Sequence, residues 1–179
     1  FAGFDFEPKN LVSEDLVSLG YQKGVPMGGD LAVNDNSQKA PIFLMRAVKD
    51  PVEANLDRLQ IVKGWVAIDG VQHEKIYDVA WSGDRALDID GKLPHVGNTV
   101  DLVSGRYKNS IGVPELSAKW IDPDFNPRQP AFYYARVLQI PTPRNGFLDG
   151  LALQLEQPPR GPKTIQERAY SSPIWYQPD

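Results

Sequence analysis

The fold of this chain is decided by residues 58–81, which read RLQIVKGWVAIDGVQHEKIYDVAW. Two runs rich in β-branched and large apolar residues, 58–67 and 73–81, flank the dipeptide Asp69-Gly70. An Asp-Gly dipeptide between two such runs is typical of a two-residue type I′ turn. The pattern therefore predicts a β-hairpin with Asp69 and Gly70 as its turn residues.

A two-residue turn fixes the register of the two strands. Counting outward places Val66 opposite His73 and Val62 opposite Tyr77. The two predicted faces carry Val62, Val66 and Tyr77 on one side, and Ile61, Trp65 and Ile76 on the other. Because both faces are apolar, we expect this strand pair to be covered on each side, as in the middle of a sandwich.

Further extended runs lie on both sides of the hairpin. They are residues 1–7, 42–49, 99–104, 115–121, 131–140 and 168–176. A short helix is expected near residues 14–19, with Ser13 as its N-cap and Gly20 at its end. Six to eight short strands and one helix predict an all-β fold, an antiparallel β-sandwich of immunoglobulin-like topology with long loops. For the stretch 141–162, rich in proline and glycine, no regular structure is predicted.

Two parts are expected along the chain. Residues 1–40 form an N-terminal arm with a strand, the short helix and a glycine-rich loop, and residues 41–179 form the sandwich domain. The chain begins with Phe1 inside an apolar, strand-like run. We therefore expect an excised piece of a longer polypeptide, in which the arm packs on an upstream domain.

Composition excludes several classes of function. The 179 residues, 41% hydrophobic, are enough to bury a core without disulfides or a structural metal. The net charge of -4, with no basic cluster, disfavours nucleic acid as a partner. Zero cysteines exclude thiolate nucleophiles, disulfides and Cys-based zinc sites.

The apolar runs are far shorter than the roughly 18 residues of a membrane span. Oligomeric state has no signal in the sequence.

The glycine-rich stretch 20–31 is the main candidate for a site. Its backbone amides could cradle an anion, but it lacks the G-K-[ST] of a P-loop and the G-x-G-x-x-G of a dinucleotide turn. The alternative is a tight loop that needs glycine for steric reasons. The candidate ligand-binding or interdomain residues are Gly24, Pro26, Met27, Gly28, Gly29 and Asp30.

Catalytic machinery has little support in this sequence. The two histidines, His73 and His95, lie far apart and have no companion ligands, and no G-x-S-x-G elbow is present. We therefore expect no catalytic residue, metal ligand or cofactor in this chain. The tryptophans could form a sugar-stacking platform, although burial is the commoner fate of tryptophan in strands. They are Trp65, Trp81, Trp120 and Trp175.

The end of the chain carries a resemblance to a known family. Residues 132–137, FYYARV, and 167–176, ERAYSSPIWY, resemble the closing strand pair of the immunoglobulin-like module that follows PHP-type (polymerase and histidinol phosphatase) metal-dependent hydrolase regions. The whole chain is similar to the C-terminal third of a large bacterial family, the domain of unknown function 3604. The matching stretches are residues 1–6, 20–31, 54–64, 75–83 and 130–144.

The resemblance implies a parent protein of several hundred residues whose N-terminal part holds a divalent metal. It also implies a periplasmic or secreted location. It carries no catalytic residue onto this chain, because the metal-binding motifs are absent here. Two functions follow as expectations: a non-catalytic C-terminal region that packs on the upstream domain, or an independent binding module for a glycan or a partner protein. The first predicts an exposed apolar face on the first strand and near the glycine-rich loop, and the second predicts grouped, exposed tryptophans.

Overall fold

The computed structural model describes residues 1–7, 15–32, 39–155 and 160–178. Within these ranges the chain is mostly β, and the predicted all-β sandwich with loops is confirmed. The strands are β1 (Ala2–Gly3), β2 (Gly24–Val25), β3 (Asp30–Leu31), β4 (Ile42–Val48), β5 (Leu56–Val66), β6 (Gln72–Trp81), β7 (Glu115–Ile121), β8 (Ala131–Gln139), β9 (Thr142–Pro143), β10 (Thr164–Ile165), β11 (Arg168–Tyr170) and β12 (Ile174–Tyr176). The helices are α1 (Leu16–Lys23) and α2 (Asn145–Ala152).

Two sheets face each other. The four-stranded sheet has the order β2-β1-β4-β7, and the six-stranded sheet has the order β3-β12-β8-β5-β6, with β11 also paired to β8. Pairing is antiparallel except between β3 and β12, which run parallel. The core lies between the sheets, where the ring of Phe43 packs 4.7 Å from that of Tyr133. The strands β1, β2 and β3 of the N-terminal arm belong to these sheets.

The predicted hairpin is present, but its loop has three residues rather than two. The N–H of Ala67 donates to the carbonyl of Val71 at 2.9 Å, and the N–H of Gly70 donates to the carbonyl of Ala67 at 2.9 Å. Gly70 has a φ of 83°, in the left-handed region that favours glycine. A type I turn followed by such a glycine is the usual three-residue hairpin connection.

The extra loop residue shifts the register of β6 by one, so the predicted pairing is wrong. Tyr77 lies opposite Ile61, and Ile76 lies opposite Val62. Because side chains alternate along a strand, Tyr77 shares a face with Ile61 and Ile76 shares a face with Val62, the reverse of the predicted grouping. The predicted covering on both faces holds for β5, where Ile61 and Val62 are 1% and 0% exposed, but it is wrong for β6, where Ile76 is 44% exposed.

The helices and one predicted strand also differ from expectation. Helix α1 continues through Gly20, where a Cβ atom would lie 2.5 Å from the ring of Phe1, while Ser13 lies outside the described residues. Helix α2 occupies part of the stretch for which no regular structure is predicted, and it buries Phe147. The strand predicted over residues 99–104 is absent: residues 102–105 form a turn, in which the Asp101 carboxylate accepts the N–H of Val103 at 2.8 Å.

Candidate functional site

An apolar groove of about 670 Å³ opens between the two sheets along one side of β4. We call it the edge groove. Its inner wall consists of core-facing side chains from both sheets, among them Met45, Ala47, Ile61, Val137, Ala169 and Ile174. Its outer border comes from helix α1 and the glycine-rich loop, through Leu16, Val17, Tyr21, Pro26 and Met27. Within the described residues the lining is mainly apolar, with Arg46 as its one charged side chain, and a cavity of this kind suits apolar side chains.

The groove is open because β4 has a neighbour along only part of one edge. On one side β7 pairs with all of β4, from Ile42 to Val48. On the other side β1 pairs only with Ile42 and Phe43, and the backbones of Phe1 and Leu44 exchange hydrogen bonds of 3.0 and 2.9 Å. Beyond Leu44 the described residues place no strand on this side.

The glycine-rich loop connects the two sheets. Residues 26–29 lead from β2 in the four-stranded sheet to β3 in the six-stranded sheet. The N–H of Gly28 donates to the carbonyl of Pro173 at 3.0 Å, and the N–H of Gly29 donates to the carbonyl of Pro26 at 3.1 Å. These two amides are therefore occupied by carbonyls, which weakens the anion-cradle interpretation.

The six predicted site residues do not converge on one point. Pro26 and Met27 border the edge groove, whereas Gly28 and Asp30 are exposed. Gly24 has a steric reason to be glycine, because a Cβ atom there would lie 2.2 Å from the carbonyl oxygen of Ala2. A role for this loop in binding a ligand or a domain stays a prediction, with Met27 as its exposed contact residue.

Several large apolar side chains surround the mouth of the groove. Val17, Tyr21 and Met27 are each 63% exposed. We define the apolar rim as Val17, Tyr21, Met27, Val48 and Tyr170. The exposed apolar surface expected near the glycine-rich loop is therefore present. The expected exposure of the first strand is wrong, since Ala2 is fully buried between β2 and β4. Clustered exposed apolar side chains mark interaction surfaces.

A buried ion pair joins β5 to the residue that follows β7. The Lys63 ammonium donates to the Asp122 carboxylate at 2.6 Å and to the Asp124 carbonyl at 2.8 Å. The Tyr133 hydroxyl donates to the same Asp122 carboxylate at 2.8 Å. Burial, followed by the negative charge of Asp122, raises the pKa of Tyr133 above its ordinary range. Sequence reasoning missed Lys63, although its alternation with Ile61 and Trp65 places it on the core face.

The neighbouring Asp124 completes this cluster at the surface. Its carboxylate accepts hydrogen bonds from Lys75 at 2.5 Å and from the Tyr77 hydroxyl at 2.6 Å. These two hydrogen bonds lower the pKa of Asp124. Burial and the hydrogen bond to Asp124 raise the pKa of Tyr77. The carboxylates of Asp122 and Asp124 therefore bind lysine and tyrosine side chains, which gives them a structural role.

A second buried carboxylate fastens the long connection after β6. Asp57 is fully buried and accepts hydrogen bonds from Arg58 at 3.0 Å, Arg85 at 2.6 Å and Gln166 at 2.9 Å. The Arg85 guanidinium also donates to the carbonyl of Ser82 at 2.9 Å. Two cations and an amide bind this buried carboxylate, which gives it a structural role.

The described residues do not fit a divalent metal. Nowhere in the described ranges do three His, Asp or Glu side chains come close enough to hold an ion. His73 is exposed and stacks on Trp65 with ring centroids 5.1 Å apart, and His95 lies exposed in a loop. Neither described helix has the length and apolar run of a membrane-spanning helix.

Two of the four tryptophans, Trp65 and Trp175, line a second cavity of about 500 Å³ together with His73 and Phe132, whereas Trp81 and Trp120 do not. Trp175 is 42% exposed on the outer face of the six-stranded sheet, 5.4 Å from the ring of Phe132. Trp65 and Trp120 are half-buried against the core, and the Trp81 indole N–H donates to the carbonyl of Arg85 at 2.7 Å. The exposure expected of a glycan-binding module is thus limited to Trp175, with Trp65 half-buried in the same cavity.

The chain matches the model of a known protein family. A family model described as "Protein of unknown function (DUF3604)" matches residues 1–178. No curated protein and no solved structure matches the chain. The matched region contains both sheets, the glycine-rich loop and the edge groove.

Proposed function

Because the chain belongs to the DUF3604 family of proteins of unknown function, we propose that it is the non-catalytic β-sandwich region of a PHP-type metal-dependent hydrolase. Its role is to pack on an upstream domain of the same polypeptide, with the apolar rim and the edge groove as the contact surface. The observation that carries the proposal is the exposed rim beside an open apolar groove.

The energetics of the rim support docking of a tethered domain. Burying one Val or Met side chain that is otherwise exposed contributes roughly 1.5–3 kcal/mol. A domain in the same polypeptide binds at a high effective concentration, so a few such contacts are enough to hold it. A glycan would need polar groups converging beside the rings, whereas the rim presents mainly hydrocarbon side chains.

Under this proposal, the metal and the catalytic residues belong to the upstream domain. The parent protein is then a periplasmic or secreted hydrolase with a divalent metal. The present residues contribute a rigid surface and no ligand, in keeping with the dispersed histidines and the carboxylates already paired with cations.

Methionine oxidation tests the docking surface. Susceptibility to peroxide follows the exposure of the sulfur atom, and Met27 is 63% exposed. In the longer polypeptide that includes the upstream domain, we expect Met27 to oxidise about tenfold more slowly than in the chain alone. Mass spectrometry of tryptic peptides measures both rates. Replacing Tyr21 by glutamate, on the same rim, should restore fast oxidation in the longer polypeptide. Equal rates for Met27 in the two proteins would contradict the proposal.

The chain alone is expected to be catalytically silent. With Mg²⁺, Mn²⁺ or Zn²⁺ and generic phosphate, sulfate or carboxylate esters, it should hydrolyse none of them, because the described side chains bring no metal-binding group together. A chromogenic ester assay measures this. Turnover that persists through purification and disappears on replacing His73 or His95 by alanine would overturn the assignment.

A further inference from the structure

The free half of β4 presents unpaired backbone groups. Phe1 and Leu44 exchange both of their hydrogen bonds, so the N–H and C=O of Leu44 point away from β7. This direction alternates along a strand, which places the N–H and C=O of Arg46 and Val48 on the same side. The N–H of Lys49 confirms the alternation, since it donates to Pro114 beyond the end of β7. Within the described residues, no strand lies beside Arg46 and Val48 on that side.

The edge groove has the shape that an added strand requires. The side chains of a β-strand point alternately to the two faces of its sheet. A strand added beside β4 therefore needs space for side chains on both faces. One wall lies between the sheets, where Met45, Ala47, Val137 and Ala169 line the groove. The other wall lies on the outside, where Val17 and neighbouring residues of α1 border the groove. The unpaired backbone of β4 runs between the two walls.

We propose that the upstream polypeptide docks here by β-strand addition, with the segment immediately preceding Phe1 as the added strand. This inference rests on the proposed function and specifies its contact. Strand β1 runs antiparallel to β4, and its Phe1 end points toward the free half. A segment that continues β1 upstream therefore pairs with Arg46 and Val48 without any change of direction.

The register also predicts which residues of the added strand are apolar. Ala2, opposite Phe43, is fully buried in the core. By alternation, the first and third residues before Phe1 lie opposite Met45 and Ala47 and point into the groove. These two positions are apolar, and the second and fourth positions face outward beside Arg46 and Val48.

Amide hydrogen exchange tests the proposal in the longer polypeptide, with the chain alone as reference. We expect the amides of Arg46 and Val48 to exchange about 100-fold more slowly in the longer polypeptide, because each N–H becomes a ladder donor. A matched pair of variants isolates the backbone contribution. Val48→Pro removes one edge N–H and no bond to β7, whereas Val48→Ala removes the same rim side chain and keeps the N–H. The loss of Arg46 protection should therefore be much larger in Val48→Pro than in Val48→Ala.

The outcomes separate this inference from the proposed function. Protection of Met27 from oxidation, with Arg46 and Val48 still exchanging fast, would overturn strand addition and leave domain docking intact. No protection at any of these sites would overturn both. Protection of Arg46 in the chain alone that rises with protein concentration would identify a second copy as the occupant and overturn the upstream segment. If Val48→Pro fails to fold, the exchange rates of the Arg46 and Val48 amides in the unmodified longer polypeptide and in the unmodified chain alone still test strand addition.

Discussion

Replacing Asp122 by alanine is expected to lower the free energy of unfolding by about 3–5 kcal/mol. The substitution leaves the Lys63 ammonium in the core without its counter-charge, since the side chain of Lys63 is only 4% exposed. The Tyr133 hydroxyl also loses its acceptor. The Asp124 carbonyl and the rings of Trp65 and Tyr133 cannot replace a carboxylate 2.6 Å away. Urea unfolding followed by tryptophan fluorescence measures the loss.

A double-mutant cycle shows whether the loss comes from the uncompensated charge. Lys63→Met alone should also destabilise, because it leaves the Asp122 carboxylate buried without its cation. Lys63→Met combined with Asp122→Ala should recover part of the stability, since neither charge then remains in the core. Glu115→Gln is the control: it weakens the exposed pair with Arg46, and the midpoint should hardly move. Additive losses in the double variant would show that the two side chains are not coupled.

Replacing Gly24 by alanine is expected to cost about 3 kcal/mol, toward the upper end of what overpacking costs. The new Cβ atom would lie 2.2 Å from the carbonyl oxygen of Ala2, so β1 and β2 must separate. A backbone atom cannot rotate away as a side chain can. Thermal and urea unfolding both measure the change.

Gly28 provides the matched control in the same loop. A Cβ atom there meets only the Cβ of Ser172, at 3.6 Å, but φ is +87°. Gly28→Ala should therefore cost only about 1 kcal/mol, from the left-handed backbone alone. Equal losses for Gly24→Ala and Gly28→Ala would mean that the contact between β1 and β2 tolerates a methyl group.

The hairpin shows what can and what cannot be predicted from the sequence. Periodicity and the Asp69-Gly70 dipeptide identify the strand pair, because these signals are local. The same dipeptide fits a two-residue loop and a three-residue loop, and one residue reverses the faces of β6. A local pattern cannot choose between them. The choice depends on the packing of Tyr77 against Trp120, at 4.8 Å in the other sheet.

The candidate site was only partly accessible to sequence reasoning. The glycine-rich loop that contains Met27 could be predicted, because glycine and proline are strong local signals of irregular backbone. The edge groove could not, because it depends on how far β1 extends along β4, a pairing between distant parts of the chain. Lys63 did carry a signal. A lysine that alternates with Ile61 and Trp65 requires a buried carboxylate, and Asp122 directly follows a predicted strand.

The loop that crosses from one sheet to the other bears on how the molecule unfolds. Gly28 donates to Pro173, and the N–H of Trp175 donates to Gly29 at 3.1 Å, so the beginning and the end of the chain are joined along one seam. If β12 detaches, β3 loses the strand to which it is hydrogen-bonded. If β3 detaches, the edge of β12 becomes exposed. The two ends should therefore be released together, in a single cooperative step, rather than fraying independently.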